Sequence, residues 1–436
     1  MPLNLKERSP AVLERIVKLA ETKYSQIFAV LLSLMSLGYL GAYLKFARPR
    51  GFGGDFYAAM FSSKIWDGSG IFYGPIFVFE RWIVDGLPSI ATIHFFAIGS
   101  LVLISLSLLL TIRINSLQKK EVLYCLAVWT FNSYLYYSFS VVSNPELIQL
   151  FFLILMWWGL TTKNYKIGWI ALTLAALTKL VPLFLFPILL LFFSWTGLVA
   201  SILIVLVALI LLSIGQGESI LSLVSQTIAM NTSASASNTS SPQPDSEQFL
   251  GLSSAIARFL GMQPGQDFEY ITGFSNLLIL ALYITVLVVS IAIYRSNILT
   301  EHKVFVAYIF ALFMTLLPML HLSQVHRHTF LYLTPVWIAL RIVYSHDDSQ
   351  ERSLRYMRLT NWLFIAYSFI PIYFLDIYNV NSSIGLHFGS ELVPSLVMLT
   401  EPIWLNLFLL ISTLYYGISR IREVRRAQNS SLGNSK

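Results

Sequence analysis

Four short stretches of this chain carry residue types that could do chemistry. In GFGGDFYA, residues 51–58, Asp55 follows three glycines and precedes aromatic residues. A carboxylate so placed either caps a helix by accepting a backbone N–H or takes a proton as a general base, and a capped carboxylate is held rigidly enough to do the second. In LTKLVPLFLFP a single lysine, Lys179, interrupts a long apolar run. An ionisable group at membrane depth marks a functional site unless it snorkels to the interface or pairs with a structural carboxylate. The segment HLSQVHRH, residues 321–328, concentrates His321, His326, Arg327 and His328, a set suited to holding a phosphate through charge-assisted hydrogen bonds, with His326, Arg327 and His328 as the candidates for that contact. Finally VSNPELIQ, residues 142–149, reads as a turn and helix start, with Asn144, Glu146 and Gln149 able to hold sugar hydroxyls. No His-Glu-x-x-His or similar spacing is present and the one cysteine, Cys125, lies in an apolar run, so neither a metal site nor a disulfide framework is expected, and no cofactor is implied.

The elements that must position these groups follow from composition. Hydrophobic residues make up 56% and charged residues 12% of 436 positions, in recurring apolar runs long enough to cross a bilayer. This composition predicts an all-α polytopic membrane protein and excludes a soluble enzyme. The net charge of +7 comes from basic residues between apolar runs, where they act as topology signals rather than as a nucleic-acid surface. Spans are expected near 26–46, 93–113, 122–142, 147–162, 197–214, 274–294, 304–321, 328–344, 360–376 and 402–419. The segment 168–193 is either one long span or two short ones meeting at Lys179. The hairpin places Arg295, Lys303, Arg341, Arg352, Arg355, Arg358 and the basic tail on one side; a single span reverses them, against the positive-inside rule. The hairpin therefore gives about twelve spans, with both termini cytoplasmic and a single transmembrane domain over 26–419. A segment of 168–178 is only ~16 Å long, too short for a hydrocarbon core of roughly 30 Å, and such interrupted segments are tolerated where they line a cavity.

Residues 1–25 read as a charged amphipathic segment on the cytoplasmic surface, retained rather than cleaved, and 420–436 as a basic cytoplasmic tail. The long connections 47–92, 215–273 and 377–401 fall outside, so the working face is external. The first holds two helical patterns, near 56–67 and 75–85, expected to lie along the membrane. The second contains the polar stretch 231–247, which cannot build a core, and LSSAIARFLGM, which aligns Leu252, Ile256, Phe259 and Leu260 on one apolar face.

The combination of GGDFYAA, WDGSGIFYGP, LTKLVPLFLFP and QVHRHTFLYLTP resembles the polytopic glycosyltransferases of family 87, within the C-type membrane glycosyltransferase fold. The chain departs from that pattern in NPELIQ and in GPIFVFERW, which bears on the substrate more than on the reaction. The resemblance implies a metal-independent, inverting hexosyltransferase that moves a sugar, mannose first, from a polyprenyl-phosphate donor to an acceptor hydroxyl of a lipid or glycan on the external face of the cell membrane. On that picture Asp55 is the base, Lys179, His326, Arg327 and His328 hold the donor phosphate and Tyr57 of the aromatic loop lines the sugar path, while Asn144 and Glu146, in the stretch that departs from the family, are candidates for the sugar hydroxyls by residue type alone. Two other classes remain open: an O-antigen-type polymerase or ligase, which depends on external-loop arginines, and a secondary transporter, which would have short external loops.

Overall fold

In this computed structural model the described residues are 89–114, 119–130, 132, 134–135, 146–179, 181–217, 219–223, 225, 252–260, 269–320, 327–347, 351–368 and 402–433. Among them the fold is all helical, without strands. In chain order the helices are α1 Ser89–Ile114, α2 Lys119–Thr130, α3 Glu146–Thr161, α4 Tyr165–Thr178, α5 Phe186–Leu191, α6 Trp195–Gln216, α7 Leu252–Phe259, α8 Glu269–Ser296, α9 His302–Leu316, α10 Leu333–Ser345, α11 Arg352–Ser368 and α12 Pro402–Gly433. Short 3-10 helices, Val181–Leu185 and Arg327–Tyr332, precede α5 and α10.

The burial pattern sorts these helices by layer. In α9 every residue from Val304 to Leu316 is buried, as expected of a helix that is apolar all round and surrounded by others. It packs on α10, and Trp157 of α3 stacks on Phe310 at 4.8 Å between ring centres. By contrast α11 buries one stripe, Ser353, Leu354, Met357, Asn361, Phe364, Ile365 and Ser368, and leaves residues such as Tyr356 and Leu363 exposed on its other face. The outer surfaces of α6 and α8 are apolar and exposed, through residues such as Leu203, Leu206, Leu280 and Val288. A protein bathed in water would not leave such faces bare; a protein bathed in lipid does so by default. Among the described residues three helices are long and apolar enough to cross a membrane, Trp195–Ile214, Tyr270–Ser296 and Pro402–Arg426, making the chain a helical membrane protein.

The segment 165–192 folds back on itself. Helix α4 has 14 residues, about 21 Å at the helical rise, and stops at Thr178. Pro182 explains the stop: within a continuing helix its ring would collide with the carbonyl of Thr178, four residues earlier, and it has no N–H to offer. Lys179 takes an extended conformation (φ −159°, ψ 139°), and the chain returns through the 3-10 helix into α5. On the return, Trp169 Nε1 donates to the Phe192 carbonyl at 3.4 Å, and the Trp169 ring meets Phe186 edge-on at 5.2 Å. The ring of Tyr165 lies 5.6 Å from that of Phe192, so the start of α4 and the end of α5 share one end of the molecule, with Lys179 at the tip between them.

That end gathers most of the charge. The His302 ring nitrogen contacts the Leu160 carbonyl at 2.9 Å, His346 meets Glu301 at 3.6 Å, and Arg420 meets Asp347 at 3.7 Å, joining the ends of α3, α9, α10 and α12. Arg113 lies over Trp158, Arg341 over Tyr124 and Arg358 over Tyr344. Among the described side chains, Lys179 is the single lysine or arginine away from this basic end.

Several boundaries differ from those expected from sequence. Helix α11 starts at Arg352 rather than near 360, because its polar first turns are still amphipathic and pack on α12. Helix α12 continues from the apolar stretch through the basic tail to Gly433, since 420–433 contain no proline and no glycine until the last residue. In α7 Leu252, Ser253, Ala255 and Ala257 are buried and Ile256 packs partly buried against the core, while Leu260 of the expected apolar face is 61% exposed and the Phe259 side chain lies outside the described set. The amphipathic segment 1–25, the loop helices near 56–67 and 75–85, and 377–401 lie outside the described residues.

Candidate functional site at the hairpin tip

The site is built from two residues of α3 and the break after α4. Glu146 is the first residue of α3, where a carboxylate also complements the helix dipole. Gln149 follows three positions later and therefore projects from the same side of the helix. Lys179 Nζ donates to Glu146 Oε1 at 2.6 Å, an ion pair whose carboxylate partner is fully buried and whose lysine side chain is 19% exposed.

Gln149 closes the broken helix. Its Nε2 donates to the carbonyls of Ala175 and Lys179, at 3.1 and 2.9 Å, so a side-chain amide supplies donors that the absent next turn would have given. The Lys179 backbone N–H still donates to Ala175 at 3.2 Å. On its other side Gln149 Oε1 accepts from the Tyr332 hydroxyl. This contact brings the 3-10 helix Arg327–Tyr332 to the hairpin tip, and a 3-10 rise of ~2.0 Å per residue puts the Arg327 backbone within about 10 Å of Tyr332 along that helix.

A second buried polar tie lies alongside. Asn132 Nδ2 donates to Thr334 Oγ1, and Asn132 Oδ1 accepts from the backbone N–H groups of Tyr134 and Leu135 at 2.9 and 3.4 Å. Thr334 sits two residues beyond Tyr332, so α10 begins between the two ties. In a low-dielectric interior each of these groups is expensive to bury without partners, and together they hold α3, α4 and α10 in one arrangement.

Of the residues singled out from sequence, the structure brings Lys179 and Glu146 into direct contact. This is the carboxylate pairing that the sequence offered as the alternative to a functional lysine, and it makes the two one unit, with Gln149 as its support. Arg327 and His328 belong to the 3-10 helix that Tyr332 anchors, by their backbone; their side chains lie outside the described set, as do Asp55, Tyr57, Asn144 and His326 entirely. Tyr332, Asn132 and Thr334 were not singled out. The signal for Tyr332 was its place five residues after Arg327, and for Asn132 its place as a lone amide within an apolar stretch, WTFNSY. Among the described residues no group of histidine, cysteine, aspartate and glutamate is arranged to hold a metal ion.

The class that fold and site define is a helical membrane protein with an ion pair at the tip of a broken-helix hairpin. Comparison with family models, with curated proteins and with solved structures returned no match at all.

Proposed function

We propose that this chain is an integral-membrane hexosyltransferase that moves a sugar, mannose first, from a polyprenyl phosphate to an acceptor hydroxyl of a lipid or glycan, with inversion and without a metal. The observation that carries the reading is Lys179: a lysine at the tip of a proline-broken hairpin, away from the basic end, beside the 3-10 helix on which Arg327 and His328 lie. A donor whose phosphate sits at the membrane surface while its lipid tail stays in the bilayer needs cations at that depth. An ammonium there is costly without a partner, and Glu146 supplies one. One N–H of Lys179 goes to Glu146, leaving two for phosphate oxygens.

In the proposed reaction Asp55 takes the proton from the acceptor hydroxyl as that oxygen attacks the sugar carbon. The bond from sugar to phosphate breaks in the same displacement, and the polyprenyl phosphate leaves with the electron pair, its charge held by Lys179, Arg327, His326 and His328. Tyr57, Asn144 and Glu146 border the sugar in this reading, with Glu146 acting chiefly through Lys179. About twelve spans with both termini cytoplasmic, the C-type architecture and an external active face complete the proposal, the last supported by the gathering of basic residues at the other end.

The test is transfer from labelled polyprenyl-phosphate mannose to lipid or glycan acceptors by the purified protein in lipid, wild type against Asp55→Asn. Transfer by the wild type and a loss of about 10²-fold or more in the folded variant is the expected result. Equal transfer by both removes Asp55 as the base. No transfer by either removes the polyprenyl-phosphate mannose reading and leaves a polymerase, ligase or transporter.

A further inference from the structure

At the basic end, α11 and α12 run antiparallel and present one continuous outer face. Thr360 Oγ1 and Ser412 Oγ are hydrogen-bonded at 2.6 Å, and the rings of Tyr356 and Tyr415 lie 6.4 Å apart, which fixes the register of the two helices. On one side of the tyrosine pair the exposed residues are Leu363, Phe408 and Ile411, an apolar surface of the kind that faces acyl chains. On the other side they are mostly arginines: Arg352 one turn from Tyr356, Arg355, and Arg422, Arg425 and Arg426 on α12, with Glu423 the one exposed carboxylate among the described residues there and held by Arg420. The order apolar, tyrosine, arginine is the order of a bilayer from acyl chain to headgroup.

The arginines of α12 divide by role. Arg420 points to the bundle: it meets Asp347 at 3.7 Å and Glu423 at 2.8 Å, and Tyr416 donates to the same Asp347 carboxylate at 2.7 Å. Arg422, Arg425 and Arg426 fall on the opposite face, related by three and four positions, and among the described residues no carboxylate pairs with them. Because α12 continues without a break to Gly433, these charges ride on a rigid rod emerging from the membrane, roughly 10 to 16 Å past Tyr415 at the helical rise. Arg352 is nearer the tyrosine pair, its Nε donating to the Tyr356 hydroxyl at 2.9 Å.

We propose that this arginine face, formed by Arg352, Arg422, Arg425 and Arg426 beside Tyr356 and Tyr415, is a binding site for the headgroup of an anionic phospholipid. The apolar surface of Leu363, Phe408 and Ile411 takes the acyl chains of the same molecule. A bilayer lipid is the occupant because the two surfaces are continuous on the same pair of helices; a soluble acidic partner would use the arginines and leave the apolar part unoccupied. The inference rests on the membrane placement of the chain alone and is independent of sugar transfer.

The experiment uses the full-length protein, purified with a mixture of phosphatidylglycerol and phosphatidylcholine of identical acyl chains, and counts retained lipids by native mass spectrometry. Wild type is expected to retain phosphatidylglycerol over phosphatidylcholine by about tenfold. The preference should fall stepwise toward parity in the series Arg422→Gln, Arg425→Gln, Arg426→Gln and be lost in the triple variant, while the three arginine-to-lysine changes keep most of it. The preference should also weaken as salt rises, because the headgroup contacts are solvent-exposed. Equal retention of both lipids by wild type, or a preference unchanged in the triple glutamine variant, overturns the proposal. Displacement of phosphatidylglycerol by soluble glycerol 3-phosphate overturns it too, since the site would then recognise a free phosphate ester.

Discussion

At the scale of the residue, the ion pair of Lys179 and Glu146 carries two separable contributions, one to stability and one to chemistry. Removing a single partner of a buried pair strands the other, at a cost of about 3–5 kcal/mol. The two single changes should not be equal: Lys179→Met leaves the fully buried Glu146 carboxylate, whereas Glu146→Gln leaves an ammonium that is partly exposed and can reach water. Thermal unfolding in detergent is expected to place Lys179→Met below Glu146→Gln, and the double change Lys179→Met with Glu146→Gln above both. If the pair serves the donor phosphate, the double variant recovers stability without recovering transfer. Recovery of both would make the pair purely structural. The residue types at this site were legible in the sequence; their pairing was not, since 33 positions separate them and nothing in spacing along the chain announces a contact across two helices.

At the scale of the element, the placement of the hairpin against α3 depends on how closely α3 and α4 approach. A Cβ on Gly159 would come within 2.8 Å of the Gly168 backbone nitrogen and 3.1 Å of the Asn164 carbonyl, atoms that cannot turn aside. A Cβ on Gly168 would meet the end of the Leu160 side chain at 3.1 Å, which can rotate away. Gly159→Ala is therefore expected to destabilise by about 1–3 kcal/mol through overpacking. Gly168→Ala should be close to neutral, and Gly273→Ala, with open space around it in α8, should gain up to about 1 kcal/mol from helix propensity. Unfolding midpoints of the three variants, read side by side, check the order; a Gly159→Ala protein as stable as Gly273→Ala would mean that the two helices are not in this contact. Existence of these elements followed from apolar runs and from Pro182. Their ends did not, because the polar first turns of α11 and the arginine-rich end of α12 are stabilised by neighbours rather than by apolar content.

At the scale of the whole molecule, the separation of charge between the two ends makes orientation testable. Cys125 is the one cysteine in the chain and is buried, so a Cys125→Ala protein is a clean background for single cysteines. In intact cells, a membrane-impermeant maleimide should label Tyr270→Cys, exposed at the end of α8 far from Arg295, and spare Lys163→Cys at the basic end. Labelling in the reverse pattern would put the hairpin tip in the cytoplasm and end the proposal of an external active face.

What the sequence by itself determined is the class and the ingredients. Apolar runs of membrane-spanning length, basic residues placed between them and a proline three residues past a lone lysine in an apolar run are local features, set by transfer free energy and backbone sterics. Tertiary structure alone decided which groups meet. Gln149 closing a helix that is not its own, Tyr332 bringing the Arg327 segment to that point, Asn132 reaching Thr334 and Asp347 dividing the arginines of α12 are long-range pairings. Each arises because a buried polar group must find a partner, and which partner lies within reach depends on how the helices pack rather than on their order in the chain.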